Sequence, residues 1–248
     1  MPIMIQISEL SLSDEEKRPI FQNLSFRLNR GEWASIGGGP DPHKRLLLDL
    51  LCGHIRPDRG QILVDERNIL RVGSEKLRLL KRRLGLVIRS ERCYKRRSLS
   101  HYIQFKLRAL DVSPDDLEKR ARYALDLVGL SEQADQVPED LGPVDLKLFQ
   151  LALALSHDPV LLLLDEPLTE IGKDREKERF LDVLEQIHLR KRLTTLMTLG
   201  SKDRVPDRFP ITRHELLGGV ITRKGDLKAS TNTPAATSAV HASEGAYE

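Results

Sequence analysis

Gly38 stands six positions before Lys44 in the run Gly38-Gly39-Pro40-Asp41-Pro42-His43-Lys44-Arg45. A glycine-rich turn between a strand and a helix, closed by a lysine, suits phosphate. Main-chain N–H groups face the anion, the lysine reaches it, and a following Ser or Thr hydroxyl ligates magnesium. Here the glycine and lysine are in place, while the second glycine is His43 and the hydroxyl residue is Arg45. A second cluster ends the apolar run VLLLLDEP, where Asp165 and Glu166 adjoin. At the end of a buried strand, Asp165 is placed to hold Mg²⁺ and Glu166 to activate a water. Together the two clusters mark where a phosphate loop, a Mg²⁺-holding acid and a water-activating acid would stand.

The elements that must position these residues follow from periodicity. MIQISEL and IFQNLSFRL alternate apolar and polar residues as half-buried strands do. Asn29-Arg30-Gly31 turns the chain into a strand at EWASI, which runs into Gly37-Gly38-Gly39. A Leu-rich helix is predicted from His43 to Cys52, with Gly53 as its C-terminal cap. QILVDERNI is predicted to be one strand. Helices are predicted for PDDLEKRARYALDLVGL, for Leu146 to Ser156 and for Lys173 to Leu189. VLLLLDE and Leu193 to Leu199 read as strands buried on both faces. The fold class is therefore α/β, a P-loop NTPase-like fold with a mostly parallel sheet, an antiparallel N-terminal piece and a helical insertion at about 90–150. Residues 1–227 form this one domain, and 228–248 read as a disordered tail because they offer little to bury.

The 248 residues are 40% hydrophobic, 31% charged and 4% aromatic with net charge +3, an ordinary globular composition. Cys52 and Cys93 have no metal-site or disulfide spacing, which suits a reducing cytosol. MPIMIQISEL lacks the basic stretch and apolar core of a signal peptide, and no apolar run reaches the roughly 20 residues that span a bilayer. Any membrane role must go through a partner. Arg71 to Arg108 is strongly basic, with Glu75 and Glu91 its only acids. Such a stretch is a solvated surface, a groove for an acidic helix or anionic lipid headgroups, or a nucleic-acid surface. Tyr94 and Tyr102 are too few for a base-stacking platform, so no nucleic acid is expected.

The order and wording of the chain resemble the ATP-binding subunits of ABC transporters, over about residues 3–225. GHIRPDRGQILVD resembles the family's turn after the first helix, and RRLGLVIR its strand before the Gln loop. YALDLVGLSEQAD is similar to its helical segment, and DLGPVDLKLFQLALALSHDPVLLLLDEPLTEIG to its signature-to-D-loop block. Importer-type and cell-division-type members are the most similar in feel.

The resemblance implies ATP held between one subunit's phosphate loop and another's signature loop, and it shows where this chain departs. Pro40 and Pro42 carry no N–H. Each donor lost to a charged ligand is worth about 1.5–3 kcal/mol, or roughly ten- to a hundredfold in affinity. His43 puts a ring where the backbone must come close, and Arg45 would repel a cation at about 4 Å by several kcal/mol. The family's Gln corresponds to Arg89, its signature to Leu141-Gly142-Pro143-Val144-Asp145, its D-loop Asp to Gly172 and its switch His to Gly200. No aromatic for stacking adenine stands at Ser13-Asp14. The expectation is weak or absent binding of ATP, poor binding of Mg²⁺, and ion pairs from Lys44 and Arg45 to Asp165 or Glu166 in place of the metal.

The resemblance also implies a permease-like integral membrane partner docked in a groove near Arg89, Arg92, Arg96 and Arg97. It implies a dimer with itself or with an active homologue, and a place on the inner face of the cell membrane. Three functions stay open: a partner-binding or regulatory subunit with a degraded site, an active ATPase working through Lys44, Asp165 and Glu166, and a nucleic-acid or anionic-lipid binder.

Overall fold

The structure, a computed structural model, describes residues 2–89 and 97–224. Two sheets enclose one helix, and a helical layer covers the second sheet. The first sheet is antiparallel, built from β1 (Ile3–Ser13), β2 (Pro19–Asn29), β4 (Arg59–Val64) and β5 (Arg67–Asn68), in the order β2-β1-β4-β5. The second contains β3 (Trp33–Gly37), β6 (Leu84–Val87), β7 (Leu161–Leu164), β8 (Thr194–Thr198), β9 (Thr212–Leu217) and β10 (Val220–Arg223). Its order is β10-β9-β3-β8-β7-β6, parallel throughout except for the β9–β10 hairpin. That hairpin was not foreseen, because RHELLGGVITR has too few apolar residues to announce two strands.

The helices are α1 (Asp41–Leu51), α2 (Ser74–Lys81), α3 (Leu99–Ala109), α4 (Pro114–Leu127), α5 (Pro143–Leu155) and α6 (Asp174–Lys191). Strand β7 shows why its sequence is uniformly apolar. Leu161 and Leu163 enter the core shared with α1 and the antiparallel sheet, whereas Leu162 and Leu164 enter the core shared with α3 to α6. Both faces are buried, as a central parallel strand requires.

Three predicted boundaries need correction. The helix expected at His43 begins at Asp41, because Pro40 is extended at the N-cap and Pro42 is tolerated in a first turn. The helix expected at Leu146 begins at Pro143, again with proline where an N–H would be unpaired. QILVDERNI is not one strand but the hairpin β4–β5, turned at Asp65 and Glu66, which hold φ of 50° and 63°. The turn is fixed electrostatically, since buried Asp65 is ion-paired with both Arg30 and Arg83.

Cys52 is buried in the α1 core, and burial pushes its thiol up to about 11, so it acts as apolar filler. His157, just after α5, donates from Nε2 to the Leu84 carbonyl at 3.1 Å, while its Nδ1 is buried without a partner. Burial, reinforced by the charge on Lys106, lowers its pKa to about 4. The folded state thus holds His157 neutral while the unfolded chain protonates it near its ordinary value. Stability is complete above about pH 6.5 and falls as pH drops toward 4, by an amount on the order of 3 kcal/mol at most. Urea titrations of the wild type and His157→Gln across pH 4 to 7 check this: the variant loses part of the acid-side slope.

Candidate functional site

Strand β3 delivers the chain into Gly38 and Gly39, whose φ values of 67° and 59° lie in the left-handed region. A Cβ on Gly38 would sit 2.9 Å from the Leu216 carbonyl of β9, so this turn closes only on glycine. The main-chain N–H of His43 donates to the Pro40 carbonyl at 3.0 Å and that of Lys44 to the same oxygen at 3.4 Å. Pro42 has no N–H to offer. Two donors that a phosphate cradle would aim at an anion are turned back into the first helical turn. The His43 ring packs edge-on to Phe21 of β2, centroids 6.3 Å apart.

The side chain of Lys44 is wholly buried. Its Nζ donates to Asp41 Oδ1 at 2.8 Å and to the Leu199 carbonyl at 2.6 Å, and lies 3.2 Å from Glu166 Oε1. Arg45, one residue on, donates from Nη1 to Asp165 Oδ2 at 2.9 Å and from Nε to Asp49 Oδ2 at 3.2 Å. Arg89, just beyond β6, donates from Nη1 to Glu166 Oε2 at 3.0 Å and lies 3.7 Å from Asp41 Oδ2. Lys44, Asp41, Arg89 and Glu166 therefore form one closed ring of ion pairs, and Arg45 with Asp165 and Asp49 forms a second group beside it.

Each acid is held in place from behind. The Asp165 N–H donates to the Val87 carbonyl at 2.8 Å, and the Glu166 N–H to Thr198 Oγ1 at 2.9 Å. Glu166 takes φ of 44°, a strained setting for a side chain with a Cβ. The hydrogen bond from Lys44 holds Asp41 below its ordinary pKa, against burial. Burial pushes Glu166 up, with Lys44 opposing. Burial disfavours the charge on Arg45, but Asp165 and Asp49 outweigh it and raise its pKa.

The other predicted positions fall as follows. Leu141 and Gly142 precede α5, and Pro143, Val144 and Asp145 form its first turn. Val144 is buried in the helical core, and Asp145 pairs with Arg179 of α6 at 2.8 Å. Of the four groove arginines, Arg92 and Arg96 lie outside the described residues. Arg97 lies 5.6 Å from the ring centroid of exposed Phe105. Arg89 reaches Glu166 and lies near Asp41, with its side chain still partly exposed. The tail at 228–248 also lies outside the described residues.

Sequence reasoning missed a second polar cluster. Buried Asp203 accepts from Thr169 Oγ1 at 2.8 Å and from Lys177 Nζ at 2.7 Å. This knot closes over Gly200, where a Cβ would lie 2.5 Å from Thr169 Oγ1 and 2.8 Å from Asp203 Oδ2. The only hint in the sequence was a glycine three residues before an aspartate. A cleft of about 920 Å³ opens beside Gly37 to Gly39 and the Gly200 knot, lined also by Ser35, Lys177, Arg204 and Arg213. Lys44, Arg45, Asp165 and Glu166 are not among its walls.

The model of the ABC transporter family matches residues 21–169, more than half of the 248-residue chain. The chain belongs to the ABC transporter family. It is similar to the cell division ATP-binding protein FtsE of Escherichia coli (strain K12), 29% identical over 194 residues, covering 78% of this chain and 86% of that protein. It is also similar to the methionine import ATP-binding protein MetN 1 of Enterococcus faecalis, 27% identical over 166 residues, covering 66% of this chain and 47% of that one. Among solved structures, cbiO1 of Clostridium perfringens, part of the ABC transporter complex cbiONQ, superposes with TM-score 0.81 at 20% identity over 90% of this chain and 88% of its own. The cassette MJ0796, solved as a dimer with ADP and Pi, gives 0.76 at 19% identity over 89% and 98%. These structures establish the fold: an ABC ATP-binding domain with an α/β, P-loop NTPase-like architecture. Among the described residues no helix is long and apolar enough to cross a membrane.

Proposed function

We propose that this chain is a non-hydrolysing ABC subunit that works by binding a partner or regulating it. The observation that carries this reading is the pairing of Arg45 with Asp165 and of Lys44 with Glu166. The acid suited to a magnesium ion already has a guanidinium 2.9 Å away, and the acid suited to activating water faces two cations. A metal would have to displace Arg45, and a phosphate would have to draw Lys44 out of a fully buried position. The residues present therefore do not fit Mg·ATP. The signature segment adds support, since Pro143 lacks an N–H and Val144 is buried.

On this reading the partner is a permease-like membrane subunit, met at the inner face of the cell membrane. The assembly is completed by a second copy of the chain or by an active homologue. FtsE and MetN 1, an ATP-binding protein of cell division and one of methionine import, make either setting reasonable. The working unit is a single ABC-type domain over 1–227, with α3 to α5 as its helical part.

Calorimetric titration of the full chain with Mg·ATP, beside an ATPase assay, tests the reading. The expected result is no binding in the micromolar range and no turnover above background. Micromolar binding with turnover abolished by Glu166→Gln overturns it in favour of an active ATPase.

A further inference from the structure

Helix α5 carries a cation that the site chemistry does not use. Lys147 sits two residues after Asp145, inside the helical layer, and is 1% exposed. Its Nζ donates to the Arg89 main-chain carbonyl at 3.2 Å and to Glu170 Oε2 at 2.9 Å. Arg89 lies just after β6, and Glu170 in the loop after β7. The same Arg89 reaches Glu166, and Glu166 reaches Lys44. Polar contacts thus run unbroken from Lys44 of α1 through Glu166 and Arg89 to α5. The Asp145–Arg179 pair fastens the first turn of α5 to α6 from the other side.

The apolar packing that joins α3 to α5 with the sheet is nondirectional and specifies no particular pair of atoms. A buried ammonium is not tolerant, because it must keep partners or be orphaned in a dry interior. Moving α5 off the sheet would part Lys147 from a fixed carbonyl and a carboxylate together. We infer that Lys147 is a latch that holds α5 in one position on the sheet without any nucleotide, so that the helical layer presents a constant surface to its partner. The independence from nucleotide rests on the reading proposed above; the latch itself does not.

Hydrogen exchange on the full chain separates the two. In Lys147→Met, amides of the first two turns of α5 should open about ten- to a hundredfold more often, the equilibrium equivalent of one charge-assisted hydrogen bond. Amides of α1 and β3 should keep their wild-type rates. Glu170→Gln, which leaves Lys147 its carbonyl, should give a smaller rise confined to the same turns and serves if the first variant does not fold. Mg·ATP should leave wild-type α5 exchange unchanged. Unchanged α5 exchange in both variants, or a rise spread evenly over all elements, overturns the latch. A response of wild-type α5 to Mg·ATP overturns its independence from nucleotide. If ATP is found to bind and turn over while Lys147→Met still loosens α5 alone, the proposed function falls and the latch stands.

Discussion

Lys44→Met is expected to lower the unfolding free energy by about 3–5 kcal/mol, the range for removing one partner of a buried ion pair. In a domain of this size that corresponds to a fall in Tm of roughly 6–20 °C. The reason lies in what the ammonium holds. Its removal takes from Asp41 its hydrogen bond, from the Leu199 carbonyl its donor, and from Glu166 one of two cations. Glu166 is 2% exposed and cannot recover that loss from water. Buried pairs are poorly screened, so the deficit should persist in high salt. Thermal and urea unfolding at low and high ionic strength measure it. A deficit below about 1 kcal/mol, the range of exposed ion pairs, would show that Lys44 is not a structural ion.

His43→Gly combined with Arg45→Ser is expected to raise affinity for Mg·ATP by at least about tenfold, the worth of one hydrogen bond to a charged group. The two changes act on different parts of the site. Serine removes the guanidinium from Asp165 and supplies a hydroxyl in the position that suits a metal. Glycine removes the ring packed on Phe21 and frees the loop to leave the Pro40 carbonyl. Titrations with and without magnesium resolve the two contributions, since the serine should act chiefly when the metal is present. Unchanged affinity would place the block at Pro40, Pro42 and Arg89 instead. Adding Gly200→His is not expected to help, because its Cβ would meet the Thr169–Asp203 hydrogen bond at 2.5 Å and 2.8 Å.

Much of this site is legible from the chain itself, and the illegible part has an identifiable cause. Asp165 and Glu166 could be placed at the end of a strand because VLLLLDE has the uniform apolarity of a strand covered on both faces. The pairing of Arg45 with an acid could be anticipated because a cation and an acid brought to one pocket without a metal seek each other. The contact of Arg89 with an acid was illegible because nothing local tells what an arginine after a strand will reach. That depends on Glu166, 77 positions away. Lys147 gave no signal, since a lysine in the helix LKLFQLALAL reads as its polar edge until Glu170 and the Arg89 carbonyl are found beside it. The hairpin β9–β10 escaped for a similar reason: its strands are half-buried and polar, and its turn needs glycine because β2 lies so close that a Cβ on Gly219 would sit 2.8 Å from the Ile20 carbonyl.

Periodicity along the chain accounts for β1 to β3, α1, α4 to α6, β7 and β8, for the two-faced burial of the central strands, and for the ionisable groups delivered to one end of the sheet. These follow from side-chain periodicity and from proline and glycine stereochemistry, which act over a few residues. Tertiary structure alone decided who pairs with whom: Arg89 with Glu166, Lys147 with Glu170, Asp203 with Thr169 and Lys177. A buried charge takes the partner that the fold brings within about 3 Å, and that distance is set by the packing of elements far apart in the chain.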